Sequence, residues 1–470
     1  MAIKKSQIYS TLWSSCDVLR GSMDASQYKD YVLMMLFVKY LSDKGNDENS
    51  LFTIPSGCRF SDFVALKGHD GIGEAINKKL EAIKSENSIF LSKLALPNFN
   101  DPAKFGKAKD MTDTLSKLIA VFETDALDFS KNRSADDDIL GDAYEYLMKN
   151  FAAQSGKSKG QFYTPAEVSR TMAKMLHLNE FTSPSTTIYD PTCGSGSLLL
   201  RAISETPNGA TPFGQEKDNA TASLAILNML LHGVDTATIE QADTINSPQF
   251  LAGGTLETFD ICIANPPFST KDWLGAVGED DIYHRWNKDM CPPAKCGDYA
   301  FLLHLIASMK PGTGRGACIL PHGVLFRGNA EYAIRRHIVD SGYIEGIVGL
   351  PANIFFGTGI PACILIINKK GAANREGIFF IDAKDGFVKD GAKNRLREQD
   401  IKRIVDTWEN RQDVLHYARF VKMEEIIEKN DYNLNIPRYI TARDTEIQQD
   451  IDAHLHGGLP KHDIDQMEVY

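Results

Sequence analysis

Positive charge is in short supply. The 470 residues carry 51 Lys and Arg against 62 Asp and Glu, a formal net charge of −11. A free-standing protein that grips DNA with its whole surface needs clustered basic residues to neutralise phosphates, so that class is disfavoured. A local basic face, or a partner that supplies one, stays open. Long apolar runs are missing from the N-terminal part. The longest there, residues 31–38, spans eight positions, against about 20 for a membrane-crossing helix. It reads as a buried helix. The opening segment MAIKKSQIYS has charge but no apolar stretch behind it. No secretory leader is expected, and the expectation is a cytoplasmic chain with no membrane partner. Cysteine is sparse and scattered: Cys16, Cys58, Cys193, Cys262, Cys291, Cys296, Cys318 and Cys363. They read as reduced thiols, not a disulfide framework. Cys291 and Cys296 have no second Cys or His pair at metal-ligand spacing, so two free thiols and no metal are expected. Gly156-Lys157-Ser158 resembles the end of a P-loop, but Phe151 stands where the required glycine belongs, which rejects an NTPase.

What is present is ordinary for a folded chain. Hydrophobic residues make up 43% and charged residues 24%, which excludes wholesale disorder. The length suggests about two to three domains. Residues 1–150 read as an all-helical domain: Leu12, Trp13, Cys16, Val18 and Leu19 recur at helical spacing, and residues 136–151 form another helix. Residues 151–385 alternate short β runs (186–190, 238–241, 259–264, 316–320, 343–350, 362–368, 377–381) with amphipathic stretches. Such alternation predicts a parallel sheet covered by helices on both faces. Only residues 369–376 join the last two runs, too few for a helical crossover, so an antiparallel hairpin at the sheet edge is expected. Residues 386–470 read as a helical C-terminal region with a polar tail.

The β run ending at Asp190 enters Asp190-Pro191-Thr192-Cys193-Gly194-Ser195-Gly196 and then a helix. A strand, a glycine loop and a helix open a nucleotide-binding α/β unit, because glycines let the backbone approach a ligand. By itself such a loop can be just a turn. Glu216 ends the next strand, 26 positions after Asp190, where a carboxylate can accept from ribose hydroxyls. Asp243 follows the third strand and can accept from an adenine amino group. Three acids at three successive strand ends fit an adenosyl ligand.

The run at 259–264 feeds into Asn265-Pro266-Pro267-Phe268. Two prolines stiffen the loop and remove two N–H donors, leaving carbonyls free. With the Asn265 side chain they suit an exocyclic amino group, and Phe268 offers a stacking face.

These motifs resemble the S-adenosylmethionine-dependent amino-group DNA methyltransferases, in the gamma order of cofactor loop before catalytic loop. More narrowly, the chain resembles the modification (M) subunits of type I restriction–modification systems. Leu12-Trp13 through Arg20-Gly21-Ser22-Met23, Leu140 through Leu147, Gly160-Gln161-Phe162-Tyr163-Thr164-Pro165, and Tyr432 through Tyr439 carry that match, which covers nearly the whole chain. The resemblance implies a Rossmann-like methyltransferase sheet and methyl transfer to N6 of adenine in double-stranded DNA. It implies cofactor contacts at Gln161, Phe162, Tyr163, Thr164, Pro165, Asp190, Cys193, Gly194, Ser195, Gly196, Glu216 and Asp243, with Asn265, Pro266, Pro267 and Phe268 catalytic. It also implies a specificity (S) subunit that reads the DNA with two M chains, the C-terminal helices docking on it, and a restriction (R) subunit in the full complex. Methylation of a protein glutamine amide, and a scaffold without activity, are the alternatives.

Four lesser features complete the reading. Thr164-Pro165-Ala166-Glu167 has the pattern of a capping box. Asp298 starts a helix and either faces the target-base pocket or simply caps that helix. Phe356 either belongs to a turn or lies against the base. The basic cluster Lys393, Arg395, Arg397, Lys402 and Arg403 reads as a solvated face or, less simply, a phosphate contact.

Overall fold

The computed structural model describes residues 5–20, 23–44, 52–129, 139–154, 164–181, 183–356, 358–441 and 455–457. Helical spacing of apolar residues becomes helix throughout the N-terminal part. In α1 (Lys5–Leu19), Ile8, Leu12, Cys16 and Leu19 share one fully buried stripe. Helix α2 (Ala25–Lys44) is apolar all round over residues 31–38 and lies in the core. Helices α3 (Ile72–Glu86) and α4 (Lys109–Phe122) pack around it. In α5 (Ile139–Gln154), Tyr144, Leu147, Met148 and Phe151 form a buried face. The expected Asp136 start of this helix lies outside the described residues.

The second part is a nine-stranded sheet: β1 (Thr187–Asp190), β2 (Thr211–Glu216), β3 (Thr238–Gln241), β4 (Ile261–Ala264), β5 (Arg315–Pro321), β6 (Ile344–Gly349), β7 (Ala362–Asn368), β8 (Gly377–Asp382) and β9 (Ala418–Lys422). Their order is β9-β8-β6-β7-β5-β4-β1-β2-β3. Strands β3, β2, β1, β4 and β5 run parallel. The covering helices are α6 (Ala166–Met175), α7 (Ser197–Ser204), α8 (Asn219–Leu231), α9 (Asp298–Ala307), α10 (Ala330–Asp340) and α11 (Glu398–Asn410). This is the mixed α/β architecture with a mostly parallel sheet and a helical N-terminal part that the pattern predicted.

Two details differ. β7 and β8 do not form a hairpin. β7 pairs antiparallel with both β5 and β6, and β8 lies beyond β6, parallel to it. The connector therefore crosses the end of β6, about 10 Å or two strand spacings. The reason is burial: six of the seven β7 residues are buried, so β7 needs cover and neighbours on both sides. The C-terminal region is also not purely helical. After α11 it returns as β9, the sheet edge, antiparallel to β8. Ala418 and Val421 are buried while Phe420 and Lys422 are exposed, a pattern too short to register in sequence.

One core unites the helical N-terminal part with one sheet face, α6, α7, α8 and α11; α9, α10 and the C-terminal turns fill the other face. Among the described residues no helix is long and apolar enough to cross a membrane.

Candidate functional site

The C-terminal ends of β1, β2 and β4, with the turn after β3, converge on a cleft of about 570 Å³. This is where open parallel sheets bind ligands. Pro191, Thr192 and Gly194 supply its floor from the glycine loop. The loop is tight: Gly196 N–H bonds Cys193 O at 2.8 Å, and Cys193 N–H bonds Gln215 O at 3.0 Å. Gly196 has φ +78°, and a Cβ there would lie 2.9 Å from Met229 Cε. The positive φ favours glycine, while the Met229 tip can swing aside for a Cβ. Asp190, Cys193, Ser195 and Gly196 lie behind the cleft lining. Ser195 Oγ shares a 2.9 Å hydrogen bond with Ser197 Oγ, and Asn228 Nδ2 donates to Ser195 O at 2.9 Å.

Glu216 and Asp243 do reach the cleft. Gly194 N–H donates to Glu216 Oε2 at 3.1 Å and Asp218 N–H to Oε1 at 2.8 Å. Burial raises the Glu216 carboxyl above its usual range even against these donors. Burial also pushes Asp190 up to about 8, with Thr192 opposing and Glu216 adding to the rise. Burial would raise Asp243 too, but the Lys217 ammonium and the Asn246 amide outweigh it and hold Asp243 low. Its Oδ2 meets Lys217 Nζ at 2.8 Å, while Ile245 and Asn246 N–H groups donate to Oδ1 at 3.0 Å each.

Asn265 and Pro267 line the same cleft. Asn265 Nδ2 donates to Thr164 Oγ1 at 3.1 Å, which leaves Oδ1 for an incoming donor. That contact overturns the capping box. Helix α6 begins at Ala166 with Pro165 as its cap and no side-chain cap bond, because the Thr164 hydroxyl is turned to Asn265. Gln161, Phe162 and Tyr163 lie outside the described residues.

Pro266 is buried. Phe268 packs edge-on against Phe355, ring centroids 5.9 Å apart. Phe356 instead lines a second cleft beside Tyr146 and Lys393. Asp298 is buried and pins the end of the loop. Ser269 N–H donates to its Oδ1 at 2.6 Å, and Arg327 NH1 meets Oδ2 at 3.0 Å. The Asp298 carboxylate thus fixes Ser269, a non-glycine residue at φ +51°. Cys296 Sγ lies 3.2 Å from Asp298 Oδ2 and is pushed up to about 11 by burial and that carboxylate.

Sequence reasoning missed several residues here. Gln215 is fully buried; its Nε2 donates to Ala242 O and Ser247 O at 3.3 and 3.1 Å, and its Oε1 accepts from Gln249 N–H at 3.0 Å. It sets the turn that carries Asp243. Arg285 forms a fully buried bidentate pair with Asp281, 2.8 Å at each contact. It also donates to Ile245 O at 2.7 Å and meets His304 Nδ1 at 3.1 Å. Burial and this cation keep His304 neutral. Lys29 and Asp30 reach the cleft from α2. None of these had a sequence signal beyond a charge or amide amid apolar neighbours.

The basic cluster is largely engaged within its own region. Lys393 Nζ contacts the Phe355 carbonyl, Arg395 lies 3.6 Å from Asp390, Arg397 and Lys402 each meet an acid at 2.8 Å, and Arg403 stacks on Tyr417 at 3.8 Å. These contacts favour the solvated face.

The donor set indicates which ligand the cleft fits. Five carboxylates and three ammonium groups line it, which disfavours a polyphosphate and suits a cation with hydroxyl donors. Thr192 Oγ1 is buried and has no hydrogen-bond partner among the described residues. An adenosyl group carrying a sulfonium meets both conditions.

A parallel sheet with a glycine loop, an acid at the next strand end and an Asn-Pro-Pro-Phe edge defines an amino-group methyltransferase, and the comparisons with known proteins agree. The N-6 DNA Methylase family profile matches residues 135–448, and the HsdM N-terminal domain profile matches residues 8–122. The chain belongs to the N-6 DNA methylase family, within it to the methylase subunits of type I restriction–modification systems, and is an adenine-specific DNA methyltransferase. It is 29% identical to the type I restriction enzyme MpnII methylase subunit of Mycoplasma pneumoniae, over 95% of this chain and 91% of that protein. It is 31% identical to the MjaVII methylase subunit of Methanocaldococcus jannaschii, over 95% and 80%. Among solved structures, the type I methyltransferase subunit from Streptococcus thermophilus superposes with a TM-score of 0.81 at 32% identity, covering 94% of this chain and 100% of that one.

Proposed function

We propose that the cleft binds S-adenosylmethionine and that Asn265 holds the target adenine for methylation at N6. When bound, that cofactor supplies a methyl group on a positively charged sulfur. The residues of the chain bind and orient. Glu216 takes the ribose hydroxyls. Asp243 takes the adenine amino group of the cofactor once Lys217 releases Oδ2, which costs little because that ammonium is 76% exposed. The family resemblance assigns Gln161, Phe162, Tyr163, Thr164 and Pro165 to the methionine end of the cofactor, and Asp190, Cys193, Gly194, Ser195 and Gly196 shape the loop beneath.

The target base leaves the duplex at a cost of a few kcal/mol. Its amino group donates to Asn265 Oδ1 and to the Pro266 carbonyl. Those bonds draw the nitrogen toward a tetrahedral geometry and aim its lone pair, while Pro267 stiffens the loop and Phe268 stacks on the ring. Positioning and preorganised dipoles carry the rate enhancement. The observation that carries this reading is the Asn265–Thr164 hydrogen bond, which locks the amide beside the acid-lined cleft. Asn265→Ala tests it: donor binding persists within about threefold, and N6-adenine product falls by about 10² or more. Unchanged methylation contradicts the mechanism.

We further infer that a separate specificity subunit reads the DNA sequence, that two methylase chains embrace the duplex with it, and that a restriction subunit joins the full complex. The net charge of −11 supports this division. The helical N-terminal part (1–150) closes on DNA, residues 151–385 carry catalysis, and residues 386–470 dock on the specificity subunit.

A further inference from the structure

Two side chains in the cleft come from the N-terminal helical part and not from the sheet, its loops or its covering helices. Lys29 and Asp30 of α2 line it together with Glu216 and Asp218. They stand where the helix enters the core, since residues 31–38 are all buried. Charge at such a position costs desolvation. Lys29 is only 7% exposed, and its ammonium lies 2.7 Å from Asp30 Oδ1.

Helix α2 is seated against the cleft through α8. The two helices pack directly against each other, and other N-terminal groups hold α8 as well: Tyr144 of α5 donates to Leu224 O at 2.8 Å, and Ala95 N–H donates to Ser223 Oγ at 2.8 Å. Helix α8 starts at the cleft: Asp218 caps it by accepting from Thr221 N–H at 2.8 Å, and Ala220 and Thr221 line the wall. Asp30 belongs to this end. Burial raises its carboxyl, Lys29 opposes, and the charge of Asp218 adds to the rise.

Resting on the reading of this cleft as the methyl-donor site, we infer that Lys29 and Asp30 contact the nucleoside end of the donor. A ribose diol donates to a carboxylate, and its oxygens and the ring nitrogens accept from an ammonium. An adjacent Lys–Asp pair offers both. The donor site is then complete only with α2 in place. Donor binding and the seating of the N-terminal helices favour each other, because a ligand stabilises the arrangement it contacts best.

Titration calorimetry on the full chain tests this with two ligands: S-adenosylmethionine, and 5′-methylthioadenosine, which keeps the nucleoside but lacks the amino-acid end. Wild type is compared with Lys29→Met, Asp30→Asn and Glu216→Gln. The expected result is a loss of about five- to twentyfold in affinity for both ligands in each α2 variant. Wild-type affinity in both α2 variants, with Glu216→Gln weakened, overturns the inference and leaves the cleft reading intact. Unweakened Glu216→Gln, or no binding by wild type, removes the cleft reading and this inference with it. Loss for S-adenosylmethionine alone moves the pair to the amino-acid end and also overturns it. Asp30→Asn preserves shape, so it decides the matter if melting shows that Lys29→Met does not fold.

Discussion

Asp190 sits under the glycine loop with 1% of its surface exposed, and burial, joined by Glu216, raises its carboxyl to about 8. The unfolded chain gives up this proton near pH 4. Below that, both states hold the proton and the group costs nothing. Between pH 4 and 8 the folded state keeps a proton that the unfolded state has lost, so stability falls as pH rises. Asp190→Asn keeps the acceptor for Thr192 N–H and lacks this loss. Its ligand-free stability gain over wild type therefore grows by about 1 kcal/mol per pH unit from pH 5 and levels off above 8. Thermal melts across that range check it; a gain independent of pH contradicts it. The Asp-Pro motif made Asp190 legible as a site residue. Its protonation depends on burial and on a carboxylate from another strand, which no spacing encodes.

At the scale of elements, Arg285 joins parts that are far apart in sequence. It ties the turn after β3, through Ile245 O, to His304 on α9, and His304 Nε2 meets the Tyr189 hydroxyl of β1 at 3.2 Å. Arg285→Met strands Asp281 as an unpaired buried carboxylate, costing about 3–5 kcal/mol. Donor affinity falls as well, because Thr244 and Ile245 line the cleft. Adding Asp281→Asn restores part of the stability. Denaturant unfolding of the single and double variants measures the coupling, and strict additivity contradicts it. The elements themselves were legible wherever apolar periodicity was long, as in α1, α5 and the buried strands. Adjacency was less so. The short connector after β7 correctly implied reversal of direction, but the choice of neighbour belongs to burial on both sides of β7. Thr164 had the sequence of a cap, yet a tertiary hydrogen bond to Asn265 claimed its hydroxyl.

At the scale of the molecule, the helical N-terminal part shares one continuous core with a sheet face, so the cleft and the N-terminal helices form one packed unit. The class of the protein was legible from motifs spread along the chain, because glycine loop and Asn-Pro-Pro-Phe are local. The proposed division of labour between subunits comes from the family resemblance; the net charge of −11 adds only that the chain does not grip DNA with its whole surface. The most direct test incubates the purified chain, alone and with the specificity subunit of its own system, with duplex DNA and labelled S-adenosylmethionine, then digests the DNA and quantifies N6-methyladenine. The account predicts N6-methyladenine in the mixture and none from the chain alone. No N6-methyladenine in the mixture, with donor binding demonstrated, contradicts the central claim; product from the chain alone contradicts the division of labour.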